Sequence, residues 1–353
     1  MLARPVGQLP LSILLGYVIV STVGIIANPA SGKDIRRLVA RSSVFDNNEK
    51  VNILRRILLA LEAMGVQRAV FMPDYYGLGE HAIEDLKVAL DVSFLSMEVR
   101  ADERDSTEAA RRFREMEAGC IITLGGDGTN RAVAKESGAV PLVPISTGTN
   151  NVVPYMVEGT VAGLAAGLIA TGAVDLEKVS CVAKRLEIYR DGALLDIALV
   201  DVAVSSDLFI ASRALWDPSR IREIVLARAT SDSVGMSAIG SRIQIIGPDD
   251  ELGMHLRLGP DGTQVLAPVA PGLVAPVGIR DCQMLSLGDE VTLGALPSTV
   301  ALDGERSLKG FPDQPMRVRL TRNGPRIVDI EACMAEGIRR GAFRQERVAA
   351  VPA

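Results

Sequence analysis

At 353 residues the chain is longer than one hydrophobic core usually supports, so two domains are expected. Hydrophobic residues make up 48% and charged residues 23%, which excludes a disordered or fibrous chain. The net charge of −5 offers no general attraction to phosphate backbones or anionic lipid, so nucleic acid and membrane are excluded as partners and any bound anion must be held locally.

The uncharged run at 9–26, "LPLSILLGYVIVSTVGII", approaches the length of a membrane span. Its end, "TVGIIANPASG", has the form of a buried first strand entering a loop, and the residues left over are too few to cross a hydrocarbon core of ~30 Å. Residues 1–21 are therefore read as an N-terminal extension of a cytoplasmic protein. The cysteines at 120, 181, 282 and 333 form no CxxC pair, which argues against both a zinc site and disulfides.

From 22 to 172 strand-like runs at 22–27, 67–72, 93–99, 120–124 and 140–145 alternate with amphipathic stretches, the pattern of an α/β domain built on a parallel sheet. Val51, Leu54, Leu58 and Leu61 fall on one helical face, and Gly65 supplies the stop. Thr107 and Thr160 are candidate N-caps of two further crossover helices.

Residues 173–310 read as a mainly antiparallel, β-sandwich-like substrate domain. Turn signals stand at "RDGA" (190–193), "GPDGT" (259–263) and "RNGP" (322–325), strands are expected in "SRIQIIGP" and "DEVTLGAL", and one helix is expected at 219–229. Residues 311–345 read as a hairpin, "MRVRLTRNGPRIVDI", and a last helix that packs back on the first domain.

Ligands of an open parallel sheet bind beyond the carboxyl ends of its strands. Three glycine-containing loops occupy such positions: "NPASGKD" at 28–34, "GGDGTN" at 125–130 and "STGTNN" at 146–151. Small residues let backbone N–H groups approach an anion, and a following helix N-terminus favours phosphate, so the three together point to a nucleotide site. None matches GxxxxGK[ST] or GxGxxG, which excludes the P-loop and the dinucleotide fingerprint.

The candidate nucleotide-binding residues are Asn28, Ser31, Gly32, Lys33, Gly125, Gly126, Gly128, Thr129, Thr147, Gly148, Thr149, Asn150 and Asn151. Asp127 either stabilises a helix dipole or accepts the proton of a hydroxyl that attacks a γ-phosphate. Histidine chemistry has few candidates: His255 reads as a strand residue and His81 as a helix-surface residue.

"GGDGT" after a buried strand, with "NPASG" upstream and "GTNN" and "LDGE" (302–305) downstream, resembles the NAD kinase and diacylglycerol kinase superfamily. "VGIIANPASGKDIRR" and "STGTNNVVP" look most like its ATP-NAD kinase-like family called acetoin catabolism protein X.

The resemblance implies a two-domain NAD kinase-like fold with the active site in the cleft between the domains, and a homo-oligomer. It implies an ATP-NAD kinase-like phosphotransferase that moves a γ-phosphoryl group from ATP to a hydroxyl, with Mg²⁺ and with NAD(H) as default acceptor; the alternatives are a kinase for another small hydroxylated metabolite and a non-catalytic nucleotide-binding regulator of acetoin degradation. Carried over by motif, Asp127 engages the acceptor hydroxyl and Asp303 and Glu305, of the acidic "DGE" element, help hold the metal.

Asp201 and Ser237 fall in the substrate-binding segments, which depart from the NAD kinase pattern. Val200 stands where those enzymes carry asparagine, and "VGMSAIG" (234–240) replaces "TGSTAY". NAD is therefore expected to be phosphorylated poorly, since buried polar partners are lost.

Overall fold

The computed structural model describes residues 21–32, 45–148, 150–206, 218–294, 298–304, 306–311 and 313–344. The first half supplies strands β1 (Thr22–Ala27), β2 (Arg68–Phe71), β3 (Asp91–Phe94), β4 (Cys120–Gly125) and β5 (Leu142–Ser146). Between and after them run helices α1 (Asn47–Ala63), α2 (Leu78–Ile83), α3 (Glu103–Glu115), α4 (Asp127–Ala134), α5 (Gly159–Ala170) and α6 (Leu176–Val179).

The second half opens with β6 (Ser180–Val182), β7 (Arg185–Arg190), β8 (Ala193–Ala198), β9 (Asp201–Ser205) and β10 (Ile221–Leu226). Helix α7 (Met236–Ser241) precedes a long hairpin of β11 (Leu252–Ala270) and β12 (Leu273–Ser286). The chain ends with β13 (Glu290–Thr292), β14 (Ser298–Leu302), β15 (Arg306–Gly310), β16 (Met316–Thr321), β17 (Arg326–Val328) and α8 (Ile330–Arg340).

These strands make three sheets, in the orders β3-β2-β1-β4-β5-β17-β6, β12-β11-β10-β9-β14-β15 and β13-β16-β7-β8. The first is parallel from β3 through β17, with β6 antiparallel at its edge. One of its faces buries Leu54, Ile57 and Leu61 of α1 with Ala162 and Ala166 of α5, and the other buries Ala109, Ala110 and Phe113 of α3. The two antiparallel sheets enclose a core of Leu186, Ile188, Val202, Val204, Val300 and Val318. Among the described residues no helix is long and apolar enough to cross a membrane, and all four cysteines are free thiols.

Local chemistry moves several boundaries away from the sequence expectations. Asp102 caps α3 by accepting from the Arg104 N–H, and Glu158 caps α5 by accepting from the Thr160 N–H, so Thr107 and Thr160 lie inside the helices. Residues 221–226 form β10 rather than a helix. Their apolar residues at Ile221, Ile224 and Val225 imitate helical spacing, but the segment is β-branched and pairs with both β9 and β11.

The stretch 316–328 is not a hairpin: β16 pairs with β7 and β13, whereas β17 crosses to the parallel sheet between β5 and β6. "GPDGT" lies within β11 at a register shift, and the turn joining β11 to β12 is at Pro271–Gly272. In "SRIQIIGP" only Ile246 makes a bridge, to Ala229. The third expected strand is shorter and earlier than 93–99, since the chain leaves the sheet after Phe94. The last helix, α8, does pack on the first half, against α5 and α6.

Candidate active site

β1, β4 and β5 are neighbours in the parallel sheet, so the three glycine loops that follow them are brought together at one edge. They are stitched to one another. The Asn28 side-chain amide donates to Thr129 Oγ1 at 2.9 Å, Ser31 Oγ meets Thr147 Oγ1 at 2.7 Å, and the Thr147 N–H donates to the Gly125 carbonyl at 3.2 Å. The Asn28 N–H donates to the Leu124 carbonyl at 2.9 Å, fixing the first loop to the end of β4. Lys33, Thr149 and Glu305 lie outside the described residues.

A buried cation, not anticipated from the sequence, organises the first loop. Lys50 of α1 is wholly buried and its ammonium donates to the carbonyls of Asn28 (2.8 Å), Pro29 (3.3 Å) and Ser31 (2.7 Å) and to Asn47 Oδ1 (3.1 Å). The available signal was a lysine within the apolar stripe that includes Val51 and Leu54. Lys50→Met leaves those acceptors without their donor, so a loss of about 3 kcal/mol is expected in chemical denaturation, together with weaker nucleotide binding. Unchanged stability would show that the loop holds itself.

The second loop owes its shape to close approach. Gly126 has φ −102°, ordinary for any residue, but a Cβ there would sit 2.8 Å from Asn151 Oδ1, and one at Gly125 would sit 2.5 Å from the Thr129 side chain. Gly126→Val is therefore expected to push the Asn151 loop away and to weaken ATP binding at least tenfold in a calorimetric titration. Unchanged affinity in a folded variant would remove the loop from the nucleotide site.

Asp127 is the first residue of α4, at the positive end of the helix, and is 8% exposed. Its carboxylate accepts from the backbone N–H of Val152 (3.1 and 3.0 Å) and of Val153 (2.8 Å). The buried guanidinium of Arg228 lies within electrostatic reach of it, and burial pulls that guanidinium below its ordinary pKa. The carboxylate is thus fixed in orientation and placed in a positive local field. It lines a cleft together with Asn150, Asn151, Asp201, Ser237 and Asp303.

Asp303 has a different environment from the one the metal-ligand expectation requires. Its side chain is 0% exposed, and its oxygens accept from the backbone N–H groups of Leu199 (3.1 and 3.0 Å), Val200 (2.8 Å) and Asp201 (3.2 Å). Burial pushes its carboxyl above the ordinary range, opposed by Arg131, whose Nε is 3.9 Å away, and by those N–H groups. These bonds tie the buried carboxylate to the backbone at 199–201, an anchoring position. Among the described residues no group of three or more His, Cys, Asp or Glu side chains is placed to hold a metal.

Arg131, one helical turn after Asp127, joins the two halves. It is 2% exposed and reaches Asp196 of β8 at 3.3 Å and Glu103 of α3 at 2.6 Å, while Lys135 meets Asp196 at 2.8 Å. Burial alone would lower the Arg131 pKa, but Asp303, Glu103 and Asp196 hold it above the ordinary value. Burial likewise opposes ionisation of Asp196, and Lys135 and Arg131 outweigh it. Sequence reasoning missed this cluster because its members are scattered over 200 positions.

Val200 contributes only backbone to this junction: its N–H goes to Asp303, its carbonyl accepts from Ala227 at 2.9 Å, and its side chain is buried in the core. His255 is a buried strand residue 3.2 Å from Glu223, and His81 lies on the exposed side of α2.

Comparison with known proteins agrees with this arrangement. Residues 23–173 match the ATP-NAD kinase N-terminal domain, and residues 184–323 match the acetoin catabolism protein X C-terminal domain. Acetoin catabolism protein X of Cupriavidus necator is 39% identical over 340 residues, covering 92% of this chain and 95% of that protein. The chain belongs to the acetoin catabolism protein X family. Its fold is NAD kinase-like, an α/β half with a mostly parallel sheet followed by two antiparallel sheets. The crystal structure of yeast NADH kinase complexed with NADH matches with a TM-score of 0.48 at 12% identity, over 94% of this chain and 90% of that one.

Proposed function

We propose that the chain is a phosphotransferase that moves the γ-phosphoryl group of ATP to an alcohol hydroxyl. The observation that carries this reading is Asp127: a carboxylate immobilised at a helix N-terminus in a cleft that the second and third glycine loops line together with residues of the second half of the chain. The match to the ATP-NAD kinase N-terminal domain supports a nucleotide in those loops.

In this mechanism backbone N–H groups of the loops and the N-terminus of α4 hold the phosphates. Asp127 receives the proton of the attacking hydroxyl and orients its oxygen in line with the γ-phosphorus. The carboxylates of Asp127 and Asp201, lining one cleft, suit a Mg²⁺ carried in by the nucleotide, because Mg²⁺ usually takes one or two carboxylates beside phosphates and water. Bound there, it would neutralise charge on the phosphates. The match to the ATP-NAD kinase N-terminal domain supports NAD(H) as the first acceptor to try, and the name of the Cupriavidus protein supports a role linked to acetoin catabolism.

The test is incubation of the full chain with Mg²⁺-ATP and a panel of NAD, NADH and small polyols, with phosphorylated product detected by mass. ADP release matched by a product of added phosphate mass is expected. ATP binding with no product from any acceptor would make the chain a nucleotide-binding regulator instead.

A further inference from the structure

We infer that the acceptor carries an acid group, a carboxylate or a phosphate, and that Arg228 receives this group while Asp127 takes the acceptor's hydroxyl; the inference rests on the phosphotransferase reading and narrows it. Three observations carry it: a buried guanidinium without a partner, its place beside the cleft, and the commitments of the cations around it.

Arg228 is 4% exposed and its Nε has no hydrogen-bond partner. Among the described residues its side chain enters no hydrogen bond or ion pair. Buried charges are as a rule paired, and Arg131 shows the contrast, with Glu103 at 2.6 Å and Asp196 at 3.3 Å. Burial pulls the Arg228 pKa below the ordinary arginine value, against the attraction of Tyr155, Cys181, Asp127 and Asp249. Burial also holds Tyr155 and Cys181 above their ordinary values, so both are uncharged at neutral pH. Two carboxylates remain in reach, and neither closes an ion pair: Asp127 accepts from the Val152 and Val153 N–H groups, and Asp249 is exposed.

The neighbouring cations are already committed. Lys184, wholly buried, donates to the carbonyls of Gly247 (3.0 Å) and Leu252 (2.6 Å), and Arg322 donates to those of Val182, Pro248, Asp249 and Asp250. Burial, reinforced by Arg228 and Arg322, holds the Lys184 pKa down to about 8. The three form a positive field in which, among the described residues, Arg228 alone has no acceptor.

Arg228 stands two residues beyond Leu226, whose register partner Asp201 lines the cleft, and the intervening Ala227 N–H donates to the Val200 carbonyl at 2.9 Å. Asp127, another lining residue, is within its electrostatic reach. The guanidinium thus belongs to the second half of the chain, whereas the nucleotide phosphates are assigned to the loops of the first. An anion that meets it is part of the molecule whose hydroxyl meets Asp127. The planar guanidinium fork matches two oxygens of a carboxylate or a phosphate through charge-assisted hydrogen bonds. In the transfer the acceptor O–H proton passes to Asp127, an O–P bond forms to the γ-phosphorus, and the bond from that phosphorus to the β–γ bridging oxygen breaks, releasing ADP. Arg228 forms and breaks no bond; it binds.

The experiment saturates the full chain with a non-hydrolysable ATP analogue and Mg²⁺, so that the loops are filled, and titrates it with inorganic phosphate and with acetate by calorimetry. Parent, Arg228→Met and Arg228→Lys are compared. At least one of the two anions is expected to bind the parent, with at least tenfold weaker binding to Arg228→Met and a smaller loss in Arg228→Lys. Preference for phosphate marks a phosphate ester as acceptor, and preference for acetate marks a hydroxy acid. Because Arg228→Met removes a buried charge that has no partner, its melting temperature is expected at or above that of the parent. Glycerate, glycerol 3-phosphate and glycerol then join the acceptor panel run with ATP. With the acceptor that gives product, Arg228→Met is expected to raise KM at least tenfold with little change in kcat. No anion binding by the parent, equal binding by Arg228→Met, or a lower melting temperature in that variant would overturn the site. A fall in kcat at constant KM would move Arg228 onto the transferring phosphoryl group and overturn its assignment to the acceptor. Anion binding that depends on Arg228, with no product from any acceptor, would defeat the phosphotransferase reading and leave the anion site standing. Product from glycerol with a KM indifferent to Arg228→Met would do the reverse.

Discussion

Asp127→Asn is expected to lower kcat for phosphoryl transfer by ~10²–10⁴, about 3–5 kcal/mol of barrier, while the protein stays folded and binds ATP normally. The amide is nearly isosteric, and its oxygen can still accept from the Val152 and Val153 N–H groups that hold the carboxylate now. What is lost is the proton acceptor. Replacing charge-assisted hydrogen bonds by neutral ones costs on the order of 1 kcal/mol, and the helix-dipole interaction about 0.3–1 kcal/mol more, so the stability effect is several-fold smaller than the kinetic one. The measurement is kcat, ATP affinity and melting temperature for both proteins with whichever acceptor gives product. Near-normal kcat with a lowered melting temperature would reduce Asp127 to a turn residue that ties α4 to the loop at 152–153.

The parts of this site written in contiguous sequence were legible, and the parts made by tertiary convergence were not. Glycines at strand ends announce close backbone approach, and β1, β4 and β5 lie side by side, so the loops at 28–32, 125–130 and 146–151 meet as expected. What the sequence does not show is the particular contact at Gly126: its φ is unexceptional, and the constraint comes from Asn151, a contact that no local pattern encodes.

Asp303 shows the same limit from the other side. A "DGE" stretch marks an acidic turn, and Asp303 does sit there at φ 48°, but only the fold reveals that its carboxylate is buried and bonded to the backbone N–H groups of 199–201. The strand β17 was hidden because hydrophobic alternation tells that a segment is a strand without telling which sheet receives it.

Arg131→Met is expected to destabilise the protein by about 3–5 kcal/mol in chemical denaturation. Methionine fills much of the space, so the loss is electrostatic: Asp196 and Asp303, whose side chains are 3% and 0% exposed, are left buried without the guanidinium that faces them. Lys135 retains its contact to Asp196 at 2.8 Å, which keeps the loss from growing further, whereas the remaining donors to Asp303 are backbone N–H groups.

Adding Asp196→Asn to Arg131→Met should recover part of the stability, and the double-mutant cycle should give a coupling above about 1 kcal/mol. Because the folded Asp196 carboxyl lies below its ordinary 3.8, its contribution is fully present above that pH and is lost as the pH falls further. Arg131 stands four residues after Asp127 on the same short helix, so the clasp between the two halves also sets where α4, and with it the reacting carboxylate, points into the cleft. Arg131→Met should therefore lower kcat even at temperatures where the variant is fully folded. A variant within 1 kcal/mol of the parent, with unaltered kcat, would show that apolar packing alone joins the halves and aims Asp127.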